Sequence, residues 1–557
     1  MSPSPTTRIG AKNKGGGEQP QLRAPAATSS NDSYKEYVYS PVATSPLSSS
    51  VYLPTTLPID EDKPPVSVVP RRTYFNFVAM EESGSKLPQY VAATAANLCI
   101  FAGGAMMGWT SPVLANMGKN DTKSMDDNPL GVVVTDDEGS WVGSLMTLGA
   151  VTGSLFSGYI GERFGRKKAL LATSIPFLLG WALIATAKSL EQLYVARFIF
   201  GIAIAISFTV VPMYCGEIAE TSIRGVLGSF LQLFVTFGLL YAYAIGPFVS
   251  YLIFWIVCAA VPIVFFACFM FMPESPYWLL TKGMKAEAED ALCKLRGKTS
   301  SGVQKELGDM QVAVDQAFSS EVKMTDLFTV KANFKALLLT CAGVSFQQLT
   351  GINVVLFYAQ KIFASTGSAI DPAVCTIIVG VVQVCASGVT PIVVDRLGRR
   401  ILLIASGVGT AVATGVLGVY YYIMDVEKSD VSSLGWLPIA SLVLFMCLYC
   451  VGWGPLPWAI MGEMFSAEVK AKASGITVCI CWALAFVITK FFSNIAAEFG
   501  NHTAFWFFTI CCIVSVLFTV FLLPETKGKT LRQIQDELNG VKSLDYDNDE
   551  RGQVSGK

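Results

Sequence analysis

Gly161-Glu162-Arg163-Phe164-Gly165-Arg166-Lys167 lies between two apolar blocks and returns later in the chain as Val394-Asp395-Arg396-Leu397-Gly398-Arg399-Arg400. Two further pairs follow in the same order. Gly216-Glu217, with Arg224 downstream, matches Gly462-Glu463, with Lys470 downstream. Pro273-Glu274-Ser275 matches Pro524-Glu525-Thr526. Three matches in one order, at similar offsets and always at the ends of apolar blocks, point to a duplicated unit.

Outward from these motifs the apolar blocks dominate. The chain of 557 residues is 52% hydrophobic and only 15% charged, where a soluble domain carries about 25% charge. A block of roughly 18 or more apolar residues is long enough to cross the bilayer core as a helix. Such blocks fall near 90–114, 139–161, 169–187, 192–214, 225–247 and 249–271, then near 336–359, 373–394, 400–424, 437–461, 472–493 and 504–523. The expectation is an all-α membrane protein of twelve transmembrane helices in two six-helix pseudo-repeats, with short cytoplasmic helices. The bundles span 88–271 and 336–524, and a linker at 272–335 includes an amphipathic helix at Lys285–Arg296.

The tails differ. Residues 1–87 are rich in Ser, Thr and Pro and bury too little apolar surface to order, so they read as a disordered tail. This tail holds Ser40-Pro41 and Ser45-Pro46, which are either phosphorylation sites or steps common in such segments. Residues 525–557 form the second tail. No cleavable signal peptide is evident.

Basic residues cluster after the second and eighth blocks and in the linker, as in Arg163, Arg166, Arg396, Lys282 and Lys294. The positive-inside rule then puts both termini and the linker in the cytoplasm. The sequon at Asn120 falls in an outside loop and is the better glycosylation candidate than Asn501; Asn31 matches on the cytoplasmic side. The plasma membrane is the expected location.

Several classes are excluded. Net charge is −1, which gives nucleic acid no electrostatic footprint. The 14 cysteines sit mostly inside apolar blocks and read as packing residues. With His502 as the only histidine and no metal-ligand spacing, neither a metal site nor a cofactor is expected. No catalytic constellation appears, so the chain does not read as an enzyme.

The motifs resemble those of the sugar porters of the major facilitator superfamily, and in particular the facilitative glucose and trehalose carriers. The resemblance covers about 88–530 and rests on Gly161–Lys167, Val211-Pro212-Met213-Tyr214, Pro273-Glu274-Ser275-Pro276, Gln347–Tyr358, Gly454-Pro455-Leu456-Pro457-Trp458 and Pro524-Glu525-Thr526-Lys527-Gly528. It implies a uniporter for a hexose or a disaccharide such as trehalose. A proton–sugar symporter and a non-transporting sugar receptor are the alternatives. The implied partners are the sugar and the lipid bilayer.

Sugar hydroxyls both donate and accept, and so do side-chain amides, which carry no charge. The seventh block places Gln347, Gln348 and Asn353 within seven residues, around a break at Gly351. Two readings are open: contact with sugar, which the resemblance implies, or hydrogen bonds that hold helices together. Gln232 and Gln383 are further intramembrane amides at family positions. Gly452, Gly454, Pro455 and Pro457 break the tenth block beside Trp458, and Trp482 lies in the eleventh. Both tryptophans are candidates to cover the sugar ring, against plain aromatic packing. Phe357 and Tyr358 are expected as an outer lid. Arg166, Glu217, Arg224, Arg399, Arg400 and Glu463 are expected to pair between the halves and latch the cytoplasmic face.

The chain departs from glucose carriers at Phe357, Gln383, Cys450, Cys481 and Ala485. The resemblance then implies a pocket that has lost some polar contacts, which leaves hexoses other than glucose, or a disaccharide, open. Proton-coupled relatives carry a carboxylate on the first membrane helix, near an arginine on the fourth. Here Val91–Met117 holds no Asp or Glu, while Arg197 remains. An intramembrane titratable group is the natural carrier for protons, so passive transport is expected.

Overall fold

The computed structural model describes residues 84–120, 127–319, 325–366, 370–465, 467–529 and 531–540. The expected tail with Asn31, Ser40 and Ser45, and the chain after residue 540, lie outside the described residues. Among the described residues every regular element is helical.

The first six long helices are α1 (Leu87–Met117), α2 (Asp136–Phe164), α3 (Arg166–Ala185), α4 (Leu190–Ile218), α5 (Arg224–Ile245) and α6 (Tyr251–Phe269). Short helices α7 (Pro276–Thr281), α8 (Lys285–Arg296), α9 (Ser300–Ser319) and α10 (Asp326–Thr329) form the linker. The second series is α11 (Lys331–Leu349), α12 (Ile352–Ser365), α13 (Pro372–Leu397), α14 (Arg399–Asp425), α15 (Leu437–Val451), α16 (Leu456–Met464), α17 (Ala467–Phe499) and α18 (Asn501–Phe521). A last helix, α19 (Leu531–Asn539), lies on α11 and α16.

Among the described residues eleven helical spans are long and apolar enough to cross a membrane. Two of them are broken: α11 and α12 make one span, and α15 and α16 another. The twelfth expected span is α2, whose 29 residues are long enough but less apolar. Its composition follows from its neighbours. A Cβ on Gly149 of α2 would overlap the Phe198 carbonyl of α4, and one on Gly201 of α4 would overlap the Met146 carbonyl of α2. Small residues let the two backbones touch, as membrane helix interfaces require. The helix starts in a capping box: Glu138 N–H donates to Thr135 Oγ1 at 3.4 Å, and Thr135 N–H to Glu138 Oε2 at 2.9 Å.

The break between α11 and α12 is set by Gly351, whose φ of +86° suits glycine alone. A Cβ there would also lie 2.7 Å from the Phe508 ring. The second break, at Gly452–Pro455, leaves the carbonyls of Trp453 and Gly454 outside a continuous helix. Such orphan groups are tolerated at membrane depth only where protein or water satisfies them.

Within the first series α2 packs on α4, and α1 on α5; within the second α14 packs on α18 and α15. Among the described residues the main crossings that join the series are α2 with α17, α5 with α13, and α1 with α12. The linker helices build a small core of their own from Trp278, Leu280, Ala288, Leu292, Val303 and Leu307. Arg296 ties it to the first series, donating to the Ile218 carbonyl at 2.8 Å and pairing with Glu306 at 2.6 Å. The bundle thus has a linker end, carrying α7–α9, and a loop end, where α2 begins and α12 finishes. Among the described residues none of the 14 cysteines forms a disulfide.

Candidate functional site

The amides of α11 and α12 meet in one network. Gln347 Nε2 donates to the carbonyls of Trp453 at 3.0 Å and Gly454 at 2.6 Å, satisfying the broken span. Gln348 Nε2 donates to Gln347 Oε1 at 3.3 Å and to Cys481 Sγ of α17 at 3.1 Å. Asn353 Nδ2 donates to Gln348 Oε1 at 2.5 Å. The network therefore links both broken spans to α17. Gln347 has both donors committed to backbone. Gln348 has its donors committed as well, to side chains rather than to backbone, and Asn353 joins the network through Nδ2.

Gln383, on α13, is 2% exposed, and its Oε1 has no hydrogen-bond partner among the described residues. Such a buried acceptor left unmade costs roughly 1–3 kcal/mol. A ligand hydroxyl would relieve that cost. Trp482 follows Cys481 on α17, and its ring stands edge-on to Phe208 of α4, 6.3 Å between centroids. This contact joins the two halves beside the network. Trp458 is half-buried on the first turn of α16, and Gln232 is half-buried on α5. Among the described residues neither hydrogen-bonds to the network.

At the loop end α12 is fastened to the first series. Tyr243 Oη donates to the Leu356 carbonyl at 2.6 Å, and Gln360 N–H donates to Ser111 Oγ at 3.1 Å. Tyr358 stacks on Phe492 at 5.7 Å, and its hydroxyl donates to the Thr489 carbonyl at 3.4 Å. Phe357 is fully buried in the core. Both expected lid residues thus lie on the fastened helix.

The charges at the linker end depart from expectation. Arg166 pairs with Glu217 at 2.7 Å, and both belong to the first series. Arg399 pairs with Glu463 at 2.9 Å, and both belong to the second. Arg224 donates to the Ala219 carbonyl, and Arg400 to the carbonyls of Thr519 and Val520. The expected pairing between halves is therefore corrected: in this structure each cluster ties together helices of its own half.

Two residues that the sequence offered only as part of the repeats complete these clusters. Glu274 accepts from the backbone N–H of Arg166 at 3.1 Å and Lys167 at 3.0 Å, capping α3. Glu525 accepts from Arg399 N–H at 3.2 Å and Arg400 N–H at 3.0 Å, capping α14. An anion at a helix N-terminus satisfies orphan donors and meets the positive end of the dipole. Burial pushes the Glu274 carboxyl up, against the pull of the Ser275 and Lys167 amides. Burial also acts upward on Glu525, but the amides of Lys527, Arg400, Arg399 and Thr526 outweigh it and hold that carboxyl low. The side chain of Ser275 adds a 2.5 Å bond to Glu217.

Arg197 is fully buried. It donates to the Val142 carbonyl at 2.9 Å, the Met106 carbonyl at 3.1 Å and Thr110 Oγ1 at 2.8 Å. No carboxylate pairs with it among the described residues, and α1 contains none. Among the described residues no cluster of His, Cys, Asp and Glu could hold a metal ion. Asn120 is exposed, while the rest of its sequon lies outside the described residues.

Sequence reading also missed Lys490 and Lys361, which bridge the halves at the loop end. The signal for Lys490 was a single lysine inside an apolar run.

The sequence model of the family described as "Sugar (and other) transporter" matches residues 96–538. The facilitated trehalose transporter Tret1-2 homolog of Drosophila sechellia is 36% identical over 453 residues, 81% of this chain and 91% of the relative. The facilitated trehalose transporter Tret1 of Anopheles gambiae is 37% identical over 454 residues, again 81% of this chain. The chain spans about 56% of that relative's length. An inward-open structure of the xylose transporter XylE from E. coli aligns with a TM-score of 0.66 at 22% identity, covering 80% of this chain and 99% of XylE. The likeness places the architecture in the major facilitator fold.

Proposed function

The chain belongs to the sugar transporter family, and from that premise we propose that it is a facilitative carrier moving a hexose or a disaccharide such as trehalose down its gradient. It is a membrane transporter and not an enzyme; no bond in the cargo needs to change. The relatives' trehalose transport supports the disaccharide.

The amide network carries the reading. Gln348 and Asn353 carry neutral groups whose side-chain partners can be exchanged for sugar hydroxyls, and Gln383 carries an acceptor that has no partner among the described residues. Trp482, at the seam with Phe208, and Trp458, beside the helix break, supply aromatic faces for the apolar side of the ring. Gln232, half-buried on α5, is the contribution proposed for the first half. Binding near the midplane, between repeats that rock, is how such folds alternate access. The linker end, with its lysines and arginines, faces the cytoplasm in this reading, at the plasma membrane. There Arg166–Glu217 and Arg399–Glu463 each brace the helix ends of one half.

Passive transport is supported by the neutral setting of Arg197. Its donors meet carbonyls and a threonine hydroxyl, so among the described residues no carboxylate beside it is available to load and release a proton. Counterflow of labelled trehalose, glucose and fructose in proteoliposomes tests the reading. The expected result is saturable exchange of at least one sugar, with no accumulation driven by a pH gradient alone. Accumulation on the pH gradient would make the protein a symporter, and binding without exchange would make it a receptor.

A further inference from the structure

The two ends of the bundle are fastened differently. At the linker end Arg166–Glu217 and Arg399–Glu463 each stay inside one half. At the loop end, among the described residues, both ion pairs cross the seam. Lys490, on α17, reaches the first turn of α2: its Nζ lies 2.6 Å from Asp137 Oδ1 and 2.8 Å from Ser140 Oγ. The same ammonium stands over the Trp141 ring, 4.5 Å from its centroid. Lys361, on α12, pairs with the neighbouring Asp136.

The chemistry suits a reversible closure. The Lys490 side chain is 8% exposed, whereas Asp137 is 60% exposed. A lysine inside an apolar helix is retained where a partner and an aromatic face compensate it. Asp137 stays wetted, so water can take over from it when the seam parts. Adjacent acids on one helix turn thus receive lysines from two different helices of the other half.

We propose that Asp136 and Asp137 of α2, with Lys361 of α12 and Lys490 of α17, form a paired electrostatic latch that holds the loop end shut and sets how often the carrier opens there. The latch rests on the alternating-access reading, but its test needs no sugar. Hydrogen–deuterium exchange of the full chain in nanodiscs reads it. In Asp137→Asn and in Lys490→Met, amides of α12 and of the first turn of α2 exchange about tenfold faster than wild type, the lower end expected for loss of one charge-assisted hydrogen bond. Asp137→Glu and Lys490→Arg keep wild-type exchange. Amides of α3 and α14, away from the seam, stay unchanged in all four variants. Wild-type protection in both neutralised variants would overturn the latch. Exchange raised uniformly, α3 and α14 included, would overturn it equally, by making the lysine a determinant of the fold. Failure of sugar counterflow would refute the transport reading and leave these exchange rates as a separate result.

Discussion

Thr110→Val tests the neutral cradle of Arg197 most cleanly. Valine keeps the shape of threonine and removes one acceptor. In the wild type that acceptor, Thr110 Oγ1, lies 2.8 Å from Arg197 Nη2 in a fully buried setting. Hydrogen bonds to charged groups contribute about 1.5–3 kcal/mol, and a buried donor left unpaired forfeits that amount. At roughly 2–4 °C per kcal/mol for larger domains, the melting midpoint falls by about 5 °C. Thr110→Ser retains the acceptor and stays close to wild type. The assay is thermal unfolding in detergent, followed by fluorescence-detected size exclusion. A valine variant that melts with the wild type would refute the reasoning, because it would mean that the guanidinium does not depend on this hydroxyl.

Other variants address other parts of the account. Thr110→Asp places a titratable group against Arg197; sugar uptake should then rise as pH falls, when protonation releases the pair, while wild-type uptake stays flat across the same range. Ala at Gly149 or Gly201 forces α2 and α4 apart, and folded yield should collapse; Gly158→Ala, with open space around its Cβ, should express normally. Glu274→Ala or Glu525→Ala uncaps α3 or α14, with a loss of about 1 kcal/mol or more in thermal unfolding; equal midpoints for variants and wild type would refute the capping role.

Much of the fold was legible because hydrophobic length is a one-dimensional property. The apolar blocks became helices, and the breaks at Gly351 and at Gly452–Pro455 fall where the glycines and prolines stand. The linker helix at Lys285–Arg296 is present as expected. Only α2 fell short of its siblings in apolar character, since close contact with α4 demands Gly and Ser rather than Leu. Pairing was not legible in the same way. The repeated motifs announced charges at helix ends, yet whether Arg166 meets Glu217 or a residue of the other half depends on how the helices lie in three dimensions. Glu274 and Glu525 counted as signs of duplication, and their capping of α3 and α14 appears only once distant segments are brought together. The amides divide likewise: three neighbours in sequence, of which Gln347 serves the broken span and Gln348 and Asn353 face one another.

The central claim is that Gln348 and Asn353 hold the sugar. Counterflow of labelled sugar in proteoliposomes, with Gln348→Ala and Asn353→Ala compared at equal amounts of monodisperse protein, tests it most directly. The account predicts that saturable exchange disappears in both variants. Exchange retained at wild-type affinity by both would contradict it.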